Sequence, residues 1–416
     1  MTDLSSLIST IGDKPLWTLE GLRTAPPVLG LALLMVLAVV LADVLYRYAR
    51  VPRPCGHMLV GVLASPLVLR LLERTELDAW KPLLDLAIGV LVFELGTRIR
   101  PRWLIDNPSL ALTCLLEGAL AGLVVTFALN QLGANMLSST MAGIVAMSTS
   151  PVITLAVLHE IRPRGQVTER LLMMTAVNSV MAMLALKVWH VAAASGDHDF
   201  MSTAASALWV VAGSVLLGAV CGLLLDVLGR RVNGSGAIPV LQIALITIAI
   251  MLAVQWTLSP LLALLVAGVV ARTRMRHGLT VEPQLGSAGA ALGVALFLCL
   301  GLLLTLDHIG SLWPWVLAII AGRMLGKGLA VVALSRPSGL GWRQTGALIV
   351  ALQPMSSLAV LLAADTFIWA SQFPGADKSV LQALLAATTL MQLTGPLWTT
   401  IALKHLAPEA ESQVPA

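Results

Sequence analysis

The chain has 416 residues, 57% of them hydrophobic and only 12% charged, with a formal net charge of +4. An average globular domain carries about 25% charged residues, which excludes a soluble enzyme as the starting expectation. The basic surplus implies no nucleic-acid partner, because the arginines cluster in short loops between apolar runs.

Those runs are long enough to span about 30 Å of hydrocarbon, so a lipid bilayer is the expected surrounding. The chain reads as an all-α polytopic membrane protein of about thirteen helices. Their centres fall near Met35, Val62, Val90, Gly118, Val152, Met181, Val215, Ile246, Leu264, Ala295, Ile320, Leu358 and Thr388. Trp17, Trp80, Trp103, Trp256, Trp313, Trp315 and Trp342 sit near predicted helix ends, where interfacial anchoring is expected. Cys55, Cys114, Cys221 and Cys299 lack metal-like spacing and read as small packing residues. No cofactor or metal is expected.

Two of the apolar runs are broken at their middle. The first reads Met147-Ser148-Thr149-Ser150-Pro151, within a run from about Met141 to Leu158; the second reads Gln353-Pro354-Met355-Ser356-Ser357, within a run from about Ala347 to Leu362. A proline frees a backbone carbonyl, which costs several kcal/mol if left unpaired at membrane depth. Such breaks persist where the freed groups face protein or a polar cavity, and a matching pair of them points to a transporter binding site.

Basic residues alternate between loops. One set runs through Arg47, Arg50, Arg53, Arg98, Arg100, Arg102, Arg162, Arg164, Arg170, Arg230, Arg231, Arg272, Arg274, Arg276, Arg336, Arg343 and Lys404. The other holds Lys14, Arg23, Arg70, Arg74, Lys81, Lys187 and Lys378, mostly beside acids. The positive-inside rule then places the N-terminus outside and the C-terminus in the cytoplasm, and an odd number of crossings follows. Pro151 and Pro354 are 203 residues apart, and the same offset carries Glu117 close to Arg323. The simplest partition is an extracytoplasmic segment 1–27 and a transmembrane domain 28–404, followed by a cytoplasmic tail 405–416. Within the domain, inverted six-helix repeats at about 28–193 and 236–404 flank a linker helix at about 203–228.

Ionisable side chains at membrane depth are costly and mark function. Glu94 lies in the third predicted helix, Glu117 in the middle of the fourth, and Arg323 and Lys327 share one face of the eleventh at i, i+4 spacing. Pairing these acids with these bases would neutralise the membrane core, either as a static tie between helices or as working parts. Asp43, Asp85, Asp226 and Asp365 lie near helix ends and read as structural. Asn178-Ser179, in the sixth helix, follows directly on the broken one; an Asn there packs against a neighbouring helix or lines a cavity.

Together these residues resemble the monovalent cation:proton antiporter superfamily, the sodium/proton exchanger-like membrane domain. The matching stretches are Arg50-Val51-Pro52 with Gly56 through Val62, Phe93 through Arg100, Met147 through Leu155, Arg323 through Lys327, and Gln353-Pro354. The resemblance implies a homodimer of inverted-repeat protomers in the cell inner membrane, with helices four to six and eleven to thirteen crossing at the breaks. It implies exchange of Na⁺ or K⁺ for H⁺, with the ion-binding carboxylate at the second position of an Asp-Asp or Asn-Asp pair in the sixth helix. That pair aligns with Asn178-Ser179, so the carboxylate is missing. A Ser hydroxyl cannot titrate near neutral pH, so another acid has to let cation and proton compete: Glu117 first, Glu94 second. Lys327 would act as a proton-exchanging counter-charge, since lysine can surrender a proton where arginine cannot. Thr149, Ser150, Ser179 and Gln353 would supply neutral oxygens. The competing readings are a carrier for an anion or small organic acid, favoured by the Arg323/Lys327 surplus, and a transport-inactive scaffold.

Overall fold

The computed structural model describes residues 27–65, 68–69, 81–99, 101–194, 200–232, 237–274, 286–302, 309–355 and 377–411. The chain is predominantly helical. In order the helices are α1 (Pro27–Ala49), α2 (Arg53–Ala64), α3 (Lys81–Arg98), α4 (Pro101–Asp106), α5 (Pro108–Gln131), α6 (Met136–Ala146), α7 (Pro151–Ile161) and α8 (Gln166–Ala194). They continue with α9 (Phe200–Gly229), α10 (Ala237–Gln255), α11 (Pro260–Arg274), α12 (Gly286–Leu302), α13 (Ile309–Ser335), α14 (Trp342–Ala351) and α15 (Lys378–Ile401). Among the described residues, seven helices are long and apolar enough to cross a membrane, and three shorter apolar ones accompany them. The predicted centre at Leu358, and the stretch from Ser356 past Asp365, lie outside the described residues.

The chain divides into two compact units, one from Met1–Ala87 with Ser287–Leu306 and the other from Ile88–Gly286 with Asp307–Ala416. In the first, α1, α2 and α12 share a core of Leu31, Leu34, Ala38, Val60, Leu298 and Leu302. There α2 and α12 meet at Gly61 and Gly301, where a Cβ on Gly301 would come within 2.9 Å of the Gly61 Cα. Asp43 holds Arg47 one turn on, at 2.7 Å, at the end of α1.

The second unit holds both breaks. Asn135 caps α6 by accepting from the Ser138 amide at 2.8 Å, and α6 ends at Ala146. Pro151 then opens α7, where its missing N–H costs nothing. A residue before proline is pushed out of the helical region, and Ser150 accordingly sits at φ −75°, ψ 110°, with its hydroxyl capping the Ile153 amide. The four-residue gap between the helices, Met147 to Ser150, is therefore written in Ser148-Thr149-Ser150-Pro151. On the other strand of the crossing, α14 stops at Ala351 and Gln353 donates its amide back to the Ile349 carbonyl at 2.7 Å. The two extended segments pair: Thr149 bridges Met355 in antiparallel fashion, and the Ser150 amide donates to the Pro354 carbonyl at 3.0 Å.

Apolar clusters seal this crossing above and below. One gathers Leu110, Leu155, Leu158, Leu171, Val331 and Leu348; the other gathers Val125, Leu129, Leu186, Ile319, Met355 and Leu384. Along α5, α8 and α13 the polar residues fall between the two. α13 approaches α5 closely through glycines at i, i+4 spacing, Gly322 and Gly326, a small-residue seam of the membrane type. The sequence Gly322-Arg323-Met324-Leu325-Gly326-Lys327 thus places each base one residue after a contact glycine. Away from the crossing, α11 meets α3 at Gly268 and Gly96. A two-residue ladder joins Pro163-Arg164 to Ala410-Glu411, beside Glu409, whose carboxylate caps the start of α8 at the Val167 amide (2.6 Å).

A Cβ at Gly326 would lie 2.5 Å from the Ala121 Cα, backbone that cannot move aside, whereas one at Gly328 meets only Ile349 at 3.8 Å. Gly326→Val should therefore cost about 1–3 kcal/mol by overpacking, and Gly328→Ala should stay within about 0.5 kcal/mol. Thermal unfolding of the purified proteins in detergent checks the difference; equal melting temperatures for the two variants would contradict the seam.

Candidate functional site

Glu117, Lys327, Asn178 and Thr149 come together where the breaks cross, and all four are fully buried. Lys327 Nζ donates to Glu117 Oε2 at 2.6 Å, to Thr149 Oγ1 at 3.0 Å and to the Met147 carbonyl at 3.1 Å, which uses all three ammonium hydrogens. Asn178 is equally saturated. Its Nδ2 donates to Glu117 Oε1 at 2.5 Å and to Thr149 Oγ1 at 2.9 Å, and its Oδ1 accepts from the Thr149 amide at 3.1 Å. The Thr149 hydroxyl passes its own proton to the Leu352 carbonyl at 3.3 Å, so this one side chain ties both breaks to the ion pair. Ser179 donates to the Thr149 carbonyl at 2.8 Å.

Arg323 does something else. Its guanidinium donates to the carbonyls of Ala146, Leu352 (3.0 Å), Gln353 (3.3 Å) and Pro354 (3.3 Å), and it touches Thr149 Oγ1 at 3.5 Å. Ala146 ends α6, and Leu352 follows directly on the end of α14. Each helix C-terminus carries roughly half a negative charge, so two of them together offset about one cation. Arg323 therefore hydrogen-bonds backbone, while Lys327 pairs directly with Glu117.

Not every residue singled out in the sequence joins this network. Glu94 was expected to share the two bases; instead its Oε1 accepts from Arg98 Nη2 at 2.7 Å and lies 2.5 Å from His159 Nε2. The cause is local: Arg98 stands one turn along the same helix, and His159 lies in the last turn of α7. Arg323, read as compensating an acid, gives its hydrogen bonds to carbonyls. Ser150 spends its hydroxyl as a cap. Gln353 contributes its carbonyl to Arg323, and its Oε1 accepts no hydrogen bond among the described residues. The main-chain oxygens of Ala146 and Met147 are contributors that side-chain reasoning passed over; the signal for them is only their position before a break. Asp226 pairs with Arg230 at 2.8 Å.

Breaking a buried pair by removing one partner costs about 3–5 kcal/mol, whereas replacing both by apolar side chains is often close to neutral. Glu117→Ala and Lys327→Met should each destabilise by that amount, and the double variant Glu117→Leu/Lys327→Met by distinctly less than their sum. Unfolding of the three variants in detergent checks this; additive losses would show that the two groups do not act on each other.

A structure of the sodium proton antiporter MjNhaP1 from Methanocaldococcus jannaschii at pH 8 superposes with a TM-score of 0.71 at 14% identity, covering 92% of this chain and 99% of that one. A structure of the same antiporter from a 3D EM map gives 0.73 at 12% identity, with the same coverage. No curated protein matches the chain by sequence. Residues 32–405 match the family described as sodium/hydrogen exchanger, transmembrane. The chain belongs to that family of membrane transporters.

Proposed function

We propose that the protein exchanges a monovalent cation for H⁺ by alternating access at the crossing. The observation that carries this reading is the buried contact of Lys327 Nζ with Glu117 Oε2. A titratable acid and a titratable base, each with a second set of partners, stand in one water-poor layer. When a cation takes the place of the ammonium at Glu117, Lys327 gives up its proton; when the cation leaves, a proton returns. Asn178 holds Glu117 in place through both halves of the cycle. Either occupant leaves the layer with the same charge, so one cation moves for one proton.

Glu117 on α5 thereby takes the part that the acid missing at Ser179 would have played on α8. An anion carrier finds less support, because the Arg323 hydrogens that would meet an anion are engaged by carbonyls.

The same proposal takes about thirteen spans arranged as two inverted repeats, with the N-terminus outside and the C-terminus in the cytoplasm. Two glycine crossings support the repeat. Gly61 on α2 meets Gly301 on α12, and Gly96 on α3 meets Gly268 on α11. The offsets from 61 to 268 and from 96 to 301 are 207 and 205, close to the 203 between the two prolines, so one contact maps onto the other with its partners exchanged. A homodimer in the cell inner membrane completes the reading.

Glu117→Gln keeps the volume and one hydrogen bond to Asn178 but cannot hold a cation in exchange for a proton. In proteoliposomes carrying a pH gradient, this variant should lose cation-dependent proton flux at least about a hundredfold, the order expected from losing a titrating group, while still eluting as a monodisperse protein. Flux equal to that of the parent protein would remove Glu117 from the mechanism.

A further inference from the structure

The oxygens around Lys327 Nζ also have a size. Glu117 Oε2, Thr149 Oγ1 and the Met147 carbonyl lie 2.6, 3.0 and 3.1 Å from the nitrogen. The ammonium stands where a bare cation would stand on the exchange reading above, on which this inference rests. An ammonium group and K⁺ are close in size, and their oxygens sit at similar range. Ca²⁺, whose radius is near that of Na⁺, draws its oxygens in to about 2.3–2.6 Å. For Na⁺ to be held as well, at least two of these three oxygens would have to close in.

None of the three is free to do so. Thr149 Oγ1 is bound to Asn178 Nδ2 at 2.9 Å and to the Leu352 carbonyl at 3.3 Å. Glu117 is pinned by Asn178 at 2.5 Å. The Met147 carbonyl follows directly on that of Ala146, which Arg323 holds. Contraction toward a smaller ion would break bonds that close the crossing itself.

Among the described residues, Glu117 is the one carboxylate bonded into the crossing, and the other two oxygens of the cradle are neutral. Cavity size is one general source of selectivity among monovalent cations, and here the hydrogen bonds that hold the three oxygens fix that size.

We infer that the cation exchanged is K⁺ or an ion of its size, such as Rb⁺, in preference to Na⁺ and Li⁺. The test uses the full-length protein in proteoliposomes with an acid interior and a trapped pH dye, to which KCl, RbCl, NaCl or LiCl is added over a concentration series. K⁺ and Rb⁺ should alkalinise the interior with half-maximal concentrations at least about tenfold below those of Na⁺ and Li⁺, a factor worth about 1.4 kcal/mol. Na⁺ or Li⁺ acting at equal or lower concentration than K⁺ overturns the inference and leaves the exchange reading standing. Silence toward all four salts sinks the exchange reading, and this inference with it.

Discussion

Backbone that leaves a helix inside hydrocarbon must still be hydrogen-bonded, and the organisation of this crossing follows from that demand. Two helices stop in mid-course, leaving a run of carbonyls with no amide to accept from. Arg323 takes those of Ala146, Leu352, Gln353 and Pro354, Lys327 takes that of Met147, and Ser179 takes that of Thr149. The Ser150 amide, freed by the same break, goes to Pro354 across the crossing. Few residue types could supply so many donors from one side chain; the guanidinium, with five N–H groups in a fixed fork, is suited to it. The break is stable because a cation is built into it.

That requirement determines what surrounds it. Two bases on one helix face can reach the breaks only if their helix lies against α5, and Gly322 and Gly326 permit the approach. A second cation in the same layer needs an acid, and Glu117, carried by the helix that the glycines admit, stands 2.6 Å away. Apolar clusters on both sides keep water out, so these interactions act in a medium of low dielectric where pairing is strong and orphaning is expensive. Packing, charge balance and the breaks are one arrangement.

Much of this was legible in the sequence, because its signals are local. A proline after Ser and Thr in an apolar run announces a broken helix, and a base in an apolar helix announces a partner. The partner's identity was not legible. Arg323 looked like a counter-charge for a carboxylate, since sequence displays side chains and hides main-chain oxygens. Glu94 looked like a second shared acid, since nothing in one dimension tells that His159 and Arg98 close on it. The ladder of Pro163-Arg164 with Ala410-Glu411 carries no periodicity at all, being set by a segment folding back on a distant loop.

On the proposed exchange, the acid that serves the crossing stands on α5 at Glu117 and not on α8 at position 179. An acid on α8 beside Asn178 would sit next to the Thr149 carbonyl, which Ser179 now satisfies as a donor. A carboxylate there could only accept, and it would face that carbonyl as a second acceptor. On α5 the geometry is reversed: Glu117 accepts from two donors, Asn178 and Lys327. The negative charge is then held by the helix packed along α13, and the base that neutralises it rides on α13 itself. On the exchange proposed for this pair, a movement that separates α5 from α13 keeps the layer neutral only when a proton leaves Lys327 as a cation arrives at Glu117. Coupling of ion to proton is in this sense a consequence of how expensive an unpaired charge is in this layer.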